Sequence, residues 1–189
     1  MTTMLIILAA LAAVLYGWYA VIVARRNKVG EALGGIDAQL QQRHDLIPNV
    51  LAIAKRFLDH EKGLLNELTE LRARAMPQVG ERDFAKIAEK FRTEGQISTD
   101  LARIFALAEN YPELTSSGPM IEAQQAYRDV ENNIAAARRF YNSAVNGLRT
   151  IVEIFPGGML AGIAGVTTLP PFYEASEGAA VPVDAAKHL

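Results

Sequence analysis

The chain has 189 residues, enough for one domain, and its 19 basic and 21 acidic side chains give a formal net charge of -2. Because no block of like charge stands out, the sequence lacks the basic patch typical of nucleic-acid binding. The absence of cysteine excludes disulfides, thiolate metal sites, iron–sulfur clusters and cysteine nucleophiles.

The N-terminal segment carries no charged side chain before Arg25. As a helix, Met4 to Ala24 spans about 30 Å, the thickness of a bilayer's hydrocarbon core. Aromatic residues in its second half, followed at once by Arg25, Arg26 and Lys28, are typical of a membrane–water boundary. A cleavable signal peptide is the alternative, but no basic segment precedes this long apolar run. We therefore expect a single-pass anchor, with the rest of the chain in the cytoplasm.

The next segment, Asn27 to Arg43, has an apolar face that can continue the anchor helix. The six residues after it, His44 to Asn49, have two interpretations. They form a kink, or they form a chain reversal in which Asp45 caps the next helix and Pro48 lies in its first turn. A reversal returns Phe155 to the membrane, whereas a kink leaves it at the distal tip.

Prolines divide the following residues into three long predicted helices. These cover Leu46 to Ala75, Glu81 to Asn110 and Pro119 to Phe155. Because long helices with short connections pack antiparallel, the sequence predicts an all-α fold: a transmembrane helix followed by an antiparallel up-and-down helical bundle.

Two apolar stripes with heptad spacing predict the bundle core. In the last helix the stripe is Tyr127, Val130, Ile134, Ala137, Tyr141, Ala144, Leu148, Ile151 and Phe155. In the predicted helix from Leu46 to Ala75 the stripe is Val50, Ala54, Phe57, Leu64, Leu68, Leu71 and Ala75. Glu61 interrupts the first stripe, and since a buried carboxylate needs a partner, we expect it to pair with Arg138 or Arg139.

An uncharged segment, Ile154 to Tyr173, follows the last helix, and we call it the apolar strap. Its prolines and glycines argue against a second membrane crossing, so we expect irregular packing on the bundle. The membrane interface becomes an alternative location if the chain reverses at Asp45. The predicted organisation is an anchor at 1–25, a helical bundle at 26–155, and the strap with a mobile tail at 156–189.

Catalytic and metal-binding patterns are missing from the sequence. The histidines are His44, His60 and His188, and none has the spacing of a zinc protease or a di-iron site. Phosphate-binding glycine motifs and the serine-hydrolase elbow are also missing. We therefore expect no enzymatic activity, no cofactor and no metal site.

Several polar residues have the chemistry to cap helices, to pair with one another or to bind a partner. Those around the proposed reversal are Asp37, Gln39, Arg43, His44, Asp45 and Asn49. With Glu61, Glu131, Arg138, Arg139 and Asn142 they are the candidate interaction or structural positions. Capping is the more common use, but the sequence leaves both uses open.

Six strings, in this order, resemble the LemA family of bacterial membrane proteins. They are IDAQL at 36–40, QRHDLIPN at 42–49, HEK at 60–62, LAENYPEL at 107–114, ENNIAAARRFYN at 131–142 and FPG at 155–157. The resemblance implies one N-terminal helix in the bacterial inner membrane and an antiparallel bundle of four helices with no established enzymatic activity. It also favours the reversal at Asp45.

Two hypotheses for function follow. The first is a membrane-anchored scaffold that self-associates and organises or shapes the inner membrane, with the lipid bilayer and other copies of the chain as its partners. The alternative is a monomeric adaptor or signalling module, in which the surface from Asp37 to Asn49 binds another membrane protein such as a protease or sensor. Nucleic acid is not an expected partner for either.

Overall fold

The computed structural model describes residues 1–56, 61–77, 79–80 and 83–174. These residues form α1 (Thr2–Ala54), α2 (Lys62–Ala75), α3 (Phe84–Ala108), α4 (Pro112–Thr115), α5 (Gly118–Glu153) and α6 (Gly157–Ala161). No β-strand occurs in the described ranges. The predicted all-α fold with a long apolar N-terminal helix is therefore confirmed.

The first helix, α1, is continuous over 53 residues and includes Pro48. Of the two interpretations of His44 to Asn49, the chain reversal at Asp45 is therefore wrong. The distal position expected for Phe155 without that reversal is wrong as well, because the end of α5 just before Phe155 contacts Trp18 in the apolar half of α1. Instead of capping a new helix, the Asp45 carboxylate accepts a hydrogen bond from Gln41 Nε2 at 2.8 Å, one turn earlier on the surface of the same helix. The single helix predicted from Leu46 to Ala75 is also wrong, because α1 and α2 are separate helices.

Pro48 is accommodated in α1 by a side chain from α2. Because proline has no backbone N–H, the carbonyl oxygen of His44, four residues earlier, lacks its helical hydrogen bond. Arg72 Nε donates to this oxygen at 2.9 Å. The freed acceptor thus has a partner, which stabilises the helix through the point where the local sequence predicted a break.

The other two predicted long helices correspond to α3 and α5, with each end shifted by at most three residues. Asp83 caps α3, because its side chain accepts a hydrogen bond from the Lys86 backbone N–H at 3.2 Å. Pro112 and Pro119 lie in the first turns of α4 and α5, where a missing N–H costs no helical hydrogen bond.

The chain divides into two compact units. Unit 1 comprises Met1–Ala38 and Ala135–Phe172, and unit 2 comprises Gln39–Ile134 and Tyr173–Leu189. Helices α1 and α5 extend through both units, whereas α2, α3 and α4 belong to unit 2 and α6 belongs to unit 1.

Unit 2 has an apolar core to which all five of its helices contribute. Its buried residues are Ile47, Val50, Leu51, Ala54, Leu64, Leu65, Leu68, Leu71, Ala75, Ile97, Leu101, Ile104, Phe105, Ala108, Leu114, Met120 and Ala123. The stripe predicted from Val50 to Ala75 is confirmed for its described members, and Phe57 lies outside the described residues. In this unit Arg43 of α1 contacts Glu131 of α5.

In unit 1, α1 packs antiparallel to the second half of α5. Trp18 Nε1 donates to the Ile151 carbonyl at 3.4 Å, and Lys28 Nζ lies 5.5 Å from the centre of the Phe140 ring. The buried residues of these two helices are Ile22, Val29, Ala32, Leu33, Ile36, Tyr141, Ala144, Val145 and Leu148. The predicted core position of Phe155 is wrong: α5 ends at Glu153, so its heptad pattern stops short, and Phe155 is 80% exposed.

Within the described ranges, α1 is the one helix long and apolar enough to cross a membrane, by length and composition. Only 6% of its most apolar stretch is buried inside the chain. The side chains from Met4 to Leu8 are between 61% and 74% exposed. No other part of unit 1 therefore covers this apolar surface.

The apolar strap is held in unit 1 by side chains of α1 and α5 that donate to its backbone carbonyl groups. Arg26 Nη1 donates to Ala164 at 2.8 Å, and Arg149 Nη2 donates to Pro170 at 2.9 Å. The strap thus packs without strand or long-helix structure. Of the predicted tail, the residues after Glu174 lie outside the described residues.

Candidate functional site

Three polar side chains are buried in unit 2 among apolar neighbours. Arg43, His44 and Glu94 are 1%, 3% and 0% exposed, and they are the buried polar and charged residues of the described ranges. Burial of a charged group is unfavourable unless it has a partner of opposite charge and hydrogen bonds. These three residues and Glu131, which contacts them, are the candidate site, and we call them the buried ion cluster.

Two helices place the cluster on their apolar faces. On α1, Arg43 lies in the buried row Leu40, Arg43, Ile47 and Val50. On α3, Glu94 lies in the buried row Ile87, Phe91, Glu94, Ile97 and Leu101. Both rows have the three- and four-residue spacing of one helix face, so turning that face inward also buries the charged side chain.

The Arg43 guanidinium joins the two carboxylates of the cluster. Its Nη2 donates to the Glu94 carboxylate and, at 2.9 Å, to the Glu94 backbone carbonyl. Its Nη1 donates to Glu131 Oε1 at 2.9 Å. His44 Nε2 lies 2.9 Å from Glu94 Oε1 without the alignment of a hydrogen bond. One cation therefore connects α1, α3 and α5 within unit 2.

The outer edge of the cluster is formed by hydroxyl groups. Ser98 Oγ donates to Glu131 Oε2 at 3.2 Å, and the Tyr127 hydroxyl donates to the Ser98 carbonyl at 3.2 Å. Glu131 is the most solvated member, with 27% of its side chain exposed. Near the buried side, the Tyr173 ring stacks on Phe91 with 4.1 Å between ring centres. The cluster is thus enclosed on one side and reaches solvent only through Glu131.

The charges of the cluster stabilise one another. Burial by itself raises the pKa of Glu94, but the His44 ring and the positive charge of Arg43 outweigh it and hold that pKa below its ordinary value. Burial likewise disfavours the charged form of Arg43, but the carboxylates of Glu94 and Glu131 raise its pKa above the ordinary value. Arg43 and Glu94 therefore form an ionised buried pair.

This arrangement is suited to holding helices together. The paired groups are already bonded to each other, and Arg43, His44 and Glu94 have almost no contact with solvent through which a substrate could exchange protons. Within the described ranges, no group of three or more His, Cys, Asp or Glu side chains is placed to hold a metal ion. The geometry is that of a structural ion cluster.

Of the candidate positions in unit 2, the structure brings together Arg43, His44 and Glu131. Gln39 is half-buried and its Oε1 is enclosed, whereas Asp45 is exposed. Asn49 lies at a surface groove of about 390 Å³. The groove is lined by Leu46, Asn49, Ala52, Ile53, Pro119, Glu122, Ala123 and Ala126.

Glu61 occupies the N-cap position of α2, is half-buried, and makes no capping hydrogen bond with its side chain. Its pairing with Arg138 or Arg139 stays a prediction. In unit 1, Asp37, Arg138 and Asn142 are half-buried and each has a polar or electrostatic partner, and Arg139 is exposed.

Sequence reasoning missed Glu94, the central carboxylate. The signal was present, because Glu94 interrupts an apolar row of α3 in the same way that Glu61 interrupts the stripe from Val50 to Ala75. Arg43 interrupts the corresponding row of α1. Opposite charges on the inward faces of two predicted helices would have identified the pair.

Unit 1 has a second set of polar contacts, and these are directed to the backbone of the strap. The Tyr141 hydroxyl donates to the Pro171 carbonyl at 2.9 Å. Burial raises the pKa of Tyr141 to about 12, although the nearby Arg149 lowers it in part. Arg149 also lies over the Phe172 ring, with 4.7 Å between its guanidinium carbon and the ring centre. These contacts fix the strap on α5.

Comparison with known proteins gives one family match. The sequence model described as the LemA family matches residues 32–184, which is most of the chain and includes the whole buried ion cluster. No curated protein matches the sequence.

Proposed function

Since the chain belongs to the LemA family, we propose that it is a membrane-anchored helical-bundle scaffold without enzymatic activity, which self-associates and organises or shapes the bacterial inner membrane. The observation that carries this proposal is the first half of α1, whose apolar side chains no other part of the described residues covers. A water-exposed surface of this size is unfavourable, but the same surface is stable in lipid.

The end of the apolar stretch supports one orientation in the membrane. Tyr16 and Tyr19 stack with their ring centres 6.4 Å apart, and Arg25 and Arg26 follow within two turns. Aromatic rings favour the headgroup region and arginines favour the cytoplasmic side, so the bundle is cytoplasmic. A single cysteine at Gln125 tests this orientation, because a membrane-impermeant maleimide should label it only after intact cells are lysed.

The anchor also supports self-association. Its small residues Ala9, Ala13, Gly17, Ala20 and Ala24 lie within about a quarter of the helix circumference, and all are exposed. Trp18 and Ile22, which pack within unit 1, lie on the opposite side of the helix. Nothing lies within 4 Å of the position that a Cβ would take at Gly17. Small residues let two membrane helices approach closely, so this face suits the same helix of a second copy.

The buried ion cluster supports a role that needs no catalysis. Its Arg43 guanidinium is already bonded to two carboxylates, and its central pair is closed to solvent. Such a cluster favours one arrangement of α1, α3 and α5 in unit 2. A fixed arrangement of helices is what a scaffold requires of its subunit.

Self-association is tested by disulfide crosslinking, because the chain has no cysteine of its own. In vesicles of phosphatidylethanolamine and phosphatidylglycerol, Ala13→Cys should form crosslinked dimers under mild oxidation. Leu11→Cys, on the opposite side of the same helix, is the matched control and should form few. Light scattering after size exclusion of the detergent-solubilised chain provides a second readout. A strictly monomeric profile at every concentration, together with equal crosslinking of both variants, would refute the scaffold.

The surface groove of unit 2 favours the alternative, a monomeric adaptor or signalling module for another membrane protein such as a protease or sensor. The groove is mostly apolar, with the polar side chains of Asn49 and Glu122 among its lining residues. A photo-crosslinking amino acid at Gln42, an exposed neighbour of this region, distinguishes the two functions. Adducts with another protein and none between copies would favour the adaptor.

A further inference from the structure

The apolar strap exposes large apolar side chains that the rest of unit 1 leaves uncovered. Phe155 is 80% exposed, Met159 74%, Ile163 75% and Ile154 50%. Phe155, Met159 and Ile163 are spaced four residues apart, and the strap contains no charged residue. This exposed set is separate from the apolar stretch of α1 in sequence.

The first part of the strap packs against α1 at the level of its aromatic residues. Gly157 is buried where a Cβ would collide with the Ile151 carbonyl and would lie 3.1 Å from Trp18 Nε1. Trp18 itself donates to Ile151 at 3.4 Å. Since Trp18 precedes Arg25 by two helical turns, the beginning of α6 lies about 10 Å on the apolar side of the first basic residue. The strap therefore reaches the depth at which α1 is still apolar.

Several polar backbone groups of this part of the strap have hydrogen-bond partners. After α6, Val166 N–H donates to the Ala161 carbonyl at 2.8 Å, and Gly165 N–H donates to the Gly162 carbonyl at 3.1 Å. These two bonds and the positive φ of 74° at Gly165 form a Schellman motif, which closes the end of the helical turns. The Ala164 carbonyl accepts from Arg26 at 2.8 Å. A backbone satisfied in this way tolerates the border of a bilayer.

We propose that the exposed side chains of the strap insert into the headgroup–acyl boundary of the same bilayer that α1 crosses. This inference rests on the proposed membrane anchor and adds a second lipid contact to it. We infer a lipid surface as the partner of these exposed side chains because they are uncharged and lie at the basic end of the membrane helix. They are also continuous with that helix through the contact at Trp18. Residues such as Phe155 and Met159 have the size and polarity that interfacial segments bury.

The second contact has a mechanical consequence. A single membrane helix is free to tilt and rotate about its axis, but Arg26 and Trp18 tie the strap to one side of α1. With the strap held in the interface, unit 1 has one preferred rotation relative to the bilayer. The strap also occupies area in one leaflet only, which links this site to the proposed shaping of the membrane.

Spin labels at single cysteines test the depth of the strap. Met159→Cys and Ile163→Cys carry a nitroxide in the full chain, reconstituted in nanodiscs of phosphatidylethanolamine and phosphatidylglycerol. Ser143→Cys, exposed on α5 within unit 1, is the aqueous control. We expect the ratio of relaxation by oxygen to relaxation by a water-soluble nickel chelate to be several-fold higher at 159 and 163 than at 143.

Two results would overturn the inference. If both strap labels are as accessible to the nickel chelate as the label at 143, the strap lies in water. If both are protected from oxygen and from nickel, a protein surface covers the strap. A label at Leu11→Cys tests the anchor separately from the strap. If the label at 11 is exposed to lipid and the label at 159 is exposed to water, the proposed anchor stands and only the insertion of the strap is rejected. Crosslinking at Ala13 reports self-association independently of these depths.

Discussion

In unit 2 a guanidinium and a carboxylate lie at 1% and 0% exposure inside an apolar core, whereas in unit 1 large apolar side chains such as Phe155 and Met159 are exposed. The arginines differ accordingly. Arg43 of unit 2 bonds to two carboxylates, while Arg26 and Arg149 of unit 1 donate to backbone carbonyls of the strap. The same residue type therefore joins helices in one unit and fixes irregular backbone in the other.

The comparison shows what each unit requires of its surroundings. Unit 2 has an apolar core that surrounds a small number of matched charges. Unit 1 has uncovered apolar side chains and satisfied backbone groups, which is the organisation that a lipid boundary permits. Substitutions in the two units should therefore differ in how much stability they remove and in which part of the structure they disturb.

The largest effect is expected when the central ion pair of unit 2 is broken. Arg43→Met leaves Glu94 buried without its cation, so we expect a loss of about 3–5 kcal/mol in the free energy of unfolding. Chemical denaturation of the detergent-solubilised chain, followed by circular dichroism, measures this loss. Arg128→Met, an exposed arginine of unit 2, is the control and should change stability by less than about 0.5 kcal/mol.

A double variant shows whether the loss comes from the unpaired charge. When Glu94→Leu is combined with Arg43→Met, both members of the central ion pair are removed, and Glu131 is 27% exposed and stays solvated. The double variant should therefore be more stable than Arg43→Met alone. Losses that simply add would show that the two side chains do not act as a pair.

The next effect concerns the hydrogen bond that accommodates Pro48. Arg72→Met leaves the His44 carbonyl without a donor, and we expect a loss of about 1–3 kcal/mol. Pro48→Ala restores a backbone N–H to that carbonyl, so the same Arg72 substitution should cost much less in a Pro48→Ala background. Thermal melts of the four combinations measure the coupling. An equal loss in both backgrounds would exclude the proposed role of Arg72.

These two sites show how far local sequence information reaches. The helices α3 and α5 and their buried stripes could be predicted, because apolar periodicity depends on one segment at a time. At Asp45 and Pro48 the local signals were typical of a helix start, yet α1 continues because a donor from α2, distant in sequence, satisfies the freed carbonyl. Such tertiary compensation cannot be deduced from the segment itself.

The candidate site was predictable to a similar extent. Arg43 and Glu131 were candidates from their polar neighbourhoods, but the residue that joins them, Glu94, depends on the register in which three helices pack. The same reasoning about an interrupted apolar stripe was applied to Glu61, which lies at the start of α2 and is only half-buried. A charged residue within an apolar stripe therefore predicts a buried charge only where the helix continues on both sides of that residue.

A smaller effect is expected in unit 1, at the glycine that ends the helical turns of the strap. Gly165 has a φ of 74°, and a Cβ there would lie 2.6 Å from Arg26 Nη1. Gly165→Ala should therefore destabilise the strap locally by about 1–2 kcal/mol, seen as faster amide hydrogen exchange after Gly157. Gly162→Ala is the matched control, because it has open space and a helical φ of -58°, and it should slow exchange slightly. Equal exchange in both variants would show that the Schellman motif does not hold the strap.

The smallest effect is expected at Tyr141, whose hydroxyl bonds the Pro171 carbonyl of the strap at 2.9 Å. Tyr141→Phe should lower the free energy of unfolding by about 0.5–1.5 kcal/mol at neutral pH.

Burial raises the pKa of Tyr141 from 10.0 to about 12, so between these pH values the unfolded chain loses this proton while the folded chain keeps it. The folded state of the wild type must therefore lose stability with rising pH in this range, and Tyr141→Phe lacks that contribution. Melting temperatures measured across the range should fall more steeply for the wild type, since all other titrating groups are shared. Parallel curves would mean that the hydroxyl is not enclosed between α5 and the strap.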